Sequence, residues 1–554
     1  MDDLTQKQKM TVLVGILMGL LLGALDMTIV GTAMPTIIRR LGGLEHYTWV
    51  ATAYMLFSTT SIPIFGKLAD IYGRKAFFIL GIAIFLLGSA LCGVSQSMTQ
   101  LIVFRALQGI GGGVMMSNSF ALIGDIFPPA ERGKYQGLMG AAFGLASIIG
   151  PALGGFITDN LNWRWVFYVN LPLGVIALAF IVSYLPNRKT ENIDSTIDYW
   201  GVTTLILFIF PMLLAFSLAG MDYAWESVQI IGLLVISAVM SAVLIIVESK
   251  AKDPVIPLSL FKSSIFNISI TARFLASAGM FGSIIFMPLF VQGVIGSSAT
   301  NSGMIMTPMM LSMVFASIIS GQFISRTGKY RIVAIAGFGA MAFGMFLASR
   351  MSVSTTNVET IWNMIVIGFG LGLTNPILVM VVQNAFSHQQ LGVVTSAVQF
   401  FGNVGATIGM AVMGSIMNNR FALEMAKGIQ AIPADVKAMI PPGIIETLTS
   451  GNIQKINELV MRAGLSLQNN PVAATMFKRF EGVMKGALAN SISGVFVFGI
   501  IITVAGLFVS FFLKEIPLRK SLHSALEEAG MELAAETPAV MTVIRPDSEP
   551  DLVD

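Results

Sequence analysis

Along the 554 residues, runs of about 20 apolar residues recur from Thr11 to Leu513, each long enough to cross the ~30 Å hydrocarbon core of a bilayer as a helix. Inside hydrocarbon a backbone must satisfy its own hydrogen bonds, which admits only helices or a closed barrel. A barrel would show alternating segments of about ten residues, and none appear. With only 11% charged residues against 55% hydrophobic ones, the surface of a water-soluble domain would have too little to keep it hydrated. The chain is therefore read as an all-α, polytopic membrane protein.

Apolar runs bounded by charged or turn-forming stretches place spans near 11–33, 47–66, 76–95, 100–123, 134–158, 164–185, 199–218, 228–248, 265–291, 299–321, 332–350, 359–383, 391–416 and 488–513, fourteen in all. The first run is too long for a signal-peptide core and is expected to remain as a span. One set of alternate loops holds most of the Lys and Arg, including Lys67, Arg74, Lys75, Arg188, Lys189, Lys250, Lys329 and Arg331, whereas the other holds Arg39, Arg40, Arg164 and Arg350. That asymmetry predicts a cell (inner or plasma) membrane protein with both termini in the cytoplasm; the adjacent Arg39 and Arg40 are an exception.

Breaks at 186–198 and 249–264 bracket two spans and leave six on either side. The expected division is an amino-terminal six-helix bundle (1–186), a linker with two extra spans (187–264), a carboxyl-terminal six-helix bundle (265–520) and an acidic cytoplasmic tail (521–554). The second bundle includes an outer loop at 417–487 with amphipathic stretches, read either as a helical cap on the outer mouth or as a gate or partner surface. A weak repeat supports two bundles: Gly66, Gly73 and Lys75 resemble Gly321, Gly328 and Lys329 or Arg331, and Gly109–Gly113 resembles Gly368–Gly372.

The net charge is +3 with basic residues scattered over loops, so no nucleic-acid partner is expected. Cys92 is the single cysteine, and His46, His388 and His523 are far apart, so neither a metal nor a cofactor is expected. Without a nucleotide-binding loop or a clustered set of His, Asp and Glu, an ATP-driven pump or a membrane-embedded enzyme lacks machinery.

Against that apolar background the polar residues inside spans carry the information. Asp26, in the first span, reads as the only carboxylate well inside any of them, and Arg105, in the fourth, is a charge that hydrocarbon tolerates only beside a wet cavity or a carboxylate. Low dielectric disfavours a lone carboxylate's charge and a nearby cation restores it, which is what a site that takes up and releases a proton requires. In the loop Gly66-Lys-Leu-Ala-Asp70-Ile-Tyr-Gly73-Arg74-Lys75, the glycines permit a tight reversal, and Asp70 is placed to pair with Arg74 or to accept donors from a neighbouring helix end, forming a conformational latch. In the fifth span Gly150, Pro151, Gly154 and Gly155 make a smooth, bent face for close helix packing.

The loop GKLADIYGRK, with RALQGIGGG, GPALGG, LDMTIV and Trp163-Arg164-Trp165-Val-Phe-Tyr-Val-Asn170-Leu-Pro172-Leu-Gly174, resembles the signature motifs of the major facilitator superfamily, and together they resemble its fourteen-helix drug:proton antiporter branch. The resemblance implies alternating access, with protons exchanged for small amphipathic molecules and Asp26 and Arg105 as the coupling pair. The carboxyl-terminal half departs from exporters of dications, since Ser325 stands where the loop aspartate would be and its spans are expected to bury no acid. It offers Arg273, read either as snorkelling or as touching substrate, and Asn375, Gln399 and Asn403 as candidate cavity polar groups. Two cargoes follow on one fold: a proton-coupled multidrug efflux antiporter, or an exporter or flippase of a lipid, lysolipid or glycolipid. A monomer is expected.

Overall fold

The computed structural model describes residues 5–42, 46–186, 196–220, 223–297, 299–387, 390–430 and 471–518. Its helices are α1 (Gln6–Leu41), α2 (Tyr47–Tyr72), α3 (Arg74–Val94), α4 (Met98–Ile126), α5 (Pro129–Asn160), α6 (Trp165–Tyr168), α7 (Asn170–Tyr184), α8 (Tyr199–Leu218), α9 (Val228–Lys250), α10 (Ser264–Gly293), α11 (Ala299–Thr327), α12 (Tyr330–Ser349), α13 (Asn357–Ala385), α14 (Leu391–Gln430) and α15 (Pro471–Ser510). Because α6 and α7 form one span, fourteen spans are present among the described residues. Gln6 and Ser510 consequently lie at the same end of the bundle, here termed the terminal face.

Twelve spans among the described residues are long and apolar enough to cross a membrane by themselves. The other two, α2 and α4, are as long but carry Ser58, Thr59, Thr60 and Ser61, and Gln108, Ser117, Asn118 and Ser119, all buried. Helices enclosed by other helices need no lipid-compatible surface, so polarity that would be costly outside is tolerated here.

The sequence repeat reappears as matched packing. A side chain on Gly111 would strike α3 at Gly81 and Phe85, and one on Gly370 would strike α12 at Gly337 and Met341. Gly109 and Gly113 likewise lie against the α2 backbone at Tyr54 and Ser58, and Gly368 and Gly372 against α11 at Met309 and Met313. The repeated loop glycines sit where the halves meet: Gly66 of α2 abuts Ser396 of α14, and Gly321 of α11 abuts the Gly133 carbonyl of α5.

The inserted pair lies over one of these seams. Leu205, Ile209 and Leu213 of α8 pack with Leu56, Ile62 and Ile64 of α2 and with Phe400 and Val404 of α14. At the other end of α8, Trp225 Nε1 donates to Ser415 Oγ (3.1 Å) and Asn418 Nδ2 donates to the Gly220 carbonyl (3.1 Å), fixing the α8–α9 turn to α14. α9 is the least covered of the twelve apolar spans.

Several expectations need correction. α1 runs to Leu41, well beyond position 33, so Arg39 and Arg40 fall in its last turn, where the helix dipole favours cations. The loop expected at 417–487 is shorter, because α14 continues to Gln430 and α15 already begins at Pro471. At 40 residues each, these helices are about 60 Å long, roughly twice the hydrocarbon thickness. Their excess forms a paired extension away from the terminal face, where Met425 and Ile429 pack with Val483, Met484 and Leu488, and Asn490 Nδ2 donates to Glu424 (2.9 Å). Positions 431–470 and the tail 521–554 lie outside the described residues. Asp26 lies well inside its span, and two further carboxylates are buried at helix ends, Asp125 in the last turn of α4 and Glu248 in that of α9.

Glycine spacing in α4 sets how closely α2 approaches, since a Cβ on Gly109 would lie 2.5 Å from the Tyr54 carbonyl oxygen. Gly109→Val is expected to lose about 1–3 kcal/mol of stability by overpacking, seen as a lowered melting temperature. Gly414→Ala, at a position facing open space, is expected to melt like the parent.

Candidate functional site

Asp26 has no exposed surface. It projects from α1 into a polar knot whose other members come from α2, α3, α4, α6 and α7. Its Oδ2 pairs with Arg105 Nη1, and its Oδ1 accepts from Gln108 Nε2 (2.8 Å) and from Asn170 Nδ2 (2.8 Å). Gln108 returns an acceptor to Arg105 Nη1 (2.8 Å), as expected for residues three apart on one helix face. Asn170 also donates to Ser89 Oγ (3.0 Å), which donates in turn to the Phe167 carbonyl (2.9 Å). The Arg105 guanidinium lies 4.4 Å from the centre of the Tyr54 ring, and its Nε reaches the Val50 carbonyl of α2 (3.4 Å). A buried ion pair of this kind needs supporting hydrogen bonds, and here Asp26 Oδ1 accepts two while Arg105 makes two more through Nη1 and Nε.

A second charged cluster stands at the terminal face. Arg74, the first residue of α3, bridges Asp70 at the end of α2 (Nη2 to Oδ1, 2.7 Å) and Asp125 at the end of α4. Asp70 Oδ2 accepts the backbone N–H of Val393 (2.9 Å), one of the four unpaired N–H groups that open α14. A carboxylate of one half thus caps a helix of the other. Gly392 permits the approach, for a side chain there would overlap the Asp70 carboxylate. Gly66 admits Ser396 one helical level further in, and Gly73, at φ 100°, takes the positive angle that the α2–α3 reversal demands. Lys75 stands apart from this cluster, its Nζ donating to the Val182 carbonyl at the end of α7 (2.8 Å).

The same face carries a polar seam between the halves. Ser117 Oγ and Ser396 Oγ are 2.9 Å apart, and Gln383 Nε2 donates to the Phe120 carbonyl (3.0 Å). From α5, Gln136 Nε2 donates to Gln383 Oε1 (2.9 Å) and Arg132 Nη1 to the Gln383 carbonyl (3.1 Å). The terminal face is therefore closed in this conformer.

α5 carries two smooth faces. Gly150 and Gly154 meet Thr28 and Thr32 of α1, and Thr28 Oγ1 donates to the Ala146 carbonyl (3.1 Å), whereas Gly155 faces open space and Pro151 lies within the helix. A second stripe, Gly133, Gly137, Gly140 and Gly144, lies against α11. Of the four residues expected to line a cavity, two are bonded to each other. Arg273 Nη2 donates to Gln399 Oε1 (3.3 Å), Asn403 Nδ2 instead reaches Thr59 Oγ1 of α2 (3.3 Å), and Asn375, half-buried on α13, bonds to none of them.

Gln108, Asn170, Tyr54, Asp125 and Arg132 were given no role by the sequence alone. Gln108 and Asn170 lay inside the quoted motifs, and an uncharged amide in an apolar run is itself a signal. The Val393 N–H carries no signal in any side chain.

A family model described as Major Facilitator Superfamily matches residues 16–410. The chain belongs to the Major Facilitator Superfamily. Among relatives, Multidrug transporter protein MdtP of Bacillus subtilis (strain 168) is 41% identical over 550 residues, covering 96% of this chain and 98% of that protein. Multidrug resistance protein 3 of the same organism is 41% identical over 427 residues, covering 77% and 83%. Of solved structures, the human organic anion transporter MFSD10 (TETRAN) aligns with TM-score 0.57 at 16% identity over 89% of this chain and 99% of its own. The proton:xylose symporter XylE aligns with TM-score 0.57 at 12% identity over 94% and 99%. At such identities the structural likeness shows the superfamily fold alone.

Ser117→Cys with Ser396→Cys places two thiols across the seam of this superfamily member, whose sole native cysteine, Cys92, is buried. An oxidant is expected to cross-link the pair and arrest transport. Adding Asp70→Asn, which weakens the cap on α14, is expected to lower cross-link yield at equal protein, read by gel shift. Separately, Arg74→Ala leaves two carboxylates without their cation and is expected to cost about 3–5 kcal/mol, measured as loss of thermal stability.

Proposed function

We propose that this member of the superfamily exports small amphipathic or hydrophobic compounds in exchange for protons, as a monomer in the cell membrane with the terminal face in the cytoplasm. The observation that carries the reading is the enclosed Asp26–Arg105 pair, set in a chain whose near full-length relative is named a multidrug transporter. On this reading the segments 1–186 and 265–520 rock against each other, 187–264 is a linker with two extra spans, and 521–554 is a cytoplasmic tail. The present conformer is then the one closed to the cytoplasm.

The proton acts through Arg105. While Asp26 is ionised, the pair is neutral and α1, α4 and α7 are drawn together. Protonation leaves Arg105 with only the Gln108 amide, the Val50 carbonyl and the Tyr54 ring, a costly state for a cation in low dielectric. Relief requires a rearrangement of α1 and α4, and α1 is locked to α5 through Thr28 only two residues from Asp26. The other face of α5 forms the seam with α11, so a shift beginning at the acid reaches the contact between the halves. Asp70, Arg74 and the Val393 N–H hold the cytoplasm-closed state until that shift occurs.

Asp26→Asn keeps the shape and removes the titratable group. In inverted vesicles it is expected to abolish dye uptake driven by an imposed pH gradient while the protein remains in the membrane at normal amount. Coupled uptake at the parental rate would sink the assignment.

A further inference from the structure

Buried charges in the first half are answered either by an opposite charge, as Asp26, Arg105 and Asp125 are, or, for Arg132, by three backbone carbonyls, but one in the second half has neither. Arg273, on α10, is 8% exposed. Its single hydrogen bond is the one from Nη2 to Gln399 Oε1, at 3.3 Å, and no salt bridge to it is formed among the described residues. Its Nε and Nη1 are buried with no partner. The neighbourhood repeats the deficit. Gln399 Nε2 and Ser269 Oγ, both fully buried, also lack partners, and Ser269 and Arg273 are four residues apart on one face of α10. Gly402 leaves room beside the guanidinium, where a Cβ would lie 2.7 Å from Nε.

Four buried donor atoms with no acceptor describe a place from which an acceptor is missing. A buried cation held by one long hydrogen bond is among the costliest arrangements a bundle can retain. Snorkelling does not relieve it, because the side chain stays inside the protein. Among the described residues the buried charged groups beyond α9 reduce to Arg273 itself, so no carboxylate of this half is available to answer it. What restores balance is an acceptor brought from outside and carrying negative charge.

We propose that Arg273, with Gln399 and Ser269, forms an anion site that takes the carboxylate, sulfonate or phosphate head of an amphipathic substrate. The proposal deepens the efflux reading and rests on it, narrowing the cargo to compounds with an anionic head. In the free protein the guanidinium is undercompensated, and the bound head supplies charge-assisted hydrogen bonds in low dielectric. Cationic amphiphiles gain nothing from this site and are opposed by it.

The test uses two probes alike except in charge, N-dansyl-6-aminohexanoate (anion) and dansylcadaverine (cation). Binding to the purified full-length protein is read by dansyl fluorescence, and transport is read in proteoliposomes under a pH gradient. In Arg273→Met, affinity for the anion is expected to fall about tenfold or more, the loss of one hydrogen bond to a charged group. Affinity for dansylcadaverine is expected to hold, and Arg273→Lys is expected to recover much of the anion binding. Equal anion affinity in parent and Arg273→Met overturns the proposal, as does parallel loss of both probes without rescue by lysine. Parental binding of dansylcadaverine without the anion overturns the anion site and leaves efflux standing. Arg273-dependent anion binding with no transport of either probe upholds the site and overturns efflux. If neither probe binds, yet replacing chloride by gluconate lowers the melting temperature only when Arg273 is present, the occupant is an inorganic anion and the substrate assignment falls.

Discussion

A charge enclosed by apolar helices must find an opposite charge or a full set of hydrogen bonds, and this requirement organises the molecule. Asp26 is fully enclosed and is held by Arg105, Gln108 and Asn170 from α4 and α7. Those three partners fix how α1, α4 and α7 sit relative to one another far more tightly than apolar contact does, because hydrophobic packing is non-directional and tolerates sliding. The polar knot therefore gives the first half a defined arrangement, and its disturbance is felt by every helix that contributes to it.

The cluster at the terminal face applies the same rule across a boundary. Arg74 answers both Asp70 and Asp125, and the remaining oxygen of Asp70 is satisfied by a backbone N–H belonging to the other half. A contact of this kind holds well while aligned and is lost once α14 moves by a few ångströms, since hydrogen bonds weaken steeply with misalignment. The seams beside it include glycine and serine contacts, Gly66 and Ser117 against Ser396 and Gly133 against Gly321, which bring backbones close without interlocking large side chains at those points. Such surfaces separate and rejoin at small cost in repacking, as alternating access requires.

The pseudo-symmetry of the halves also shows where they diverge. Gly109, Gly111 and Gly113 have packing counterparts in Gly368, Gly370 and Gly372. The acid at position 70 has none, because Ser325 occupies the equivalent turn of α11 and bonds only to its own helix, at Gln322. The latch is thus one-sided, and the second half keeps a buried arginine in place of the first half's ion pair. The inserted α8–α9 pair adds a further asymmetry by covering the seam between α2 and α14.

The sequence by itself determined the all-α membrane fold, the fourteen spans and the positions of Asp26, Arg105, Asp70 and Arg74, because each follows from local quantities such as the length of an apolar run or a charge within it. Span ends were misjudged where helices leave the hydrocarbon, as in α14 and α15, since hydropathy marks the slab and not the helix. Only the tertiary structure decided which donors meet Asp26, that Asp70 caps α14, that the two stripes of α5 face different helices, and that Arg273 lies beside Gln399 with no counter-charge. These depend on distances between segments far apart in the chain, and on backbone N–H groups that every residue but proline possesses, so no residue type announces them.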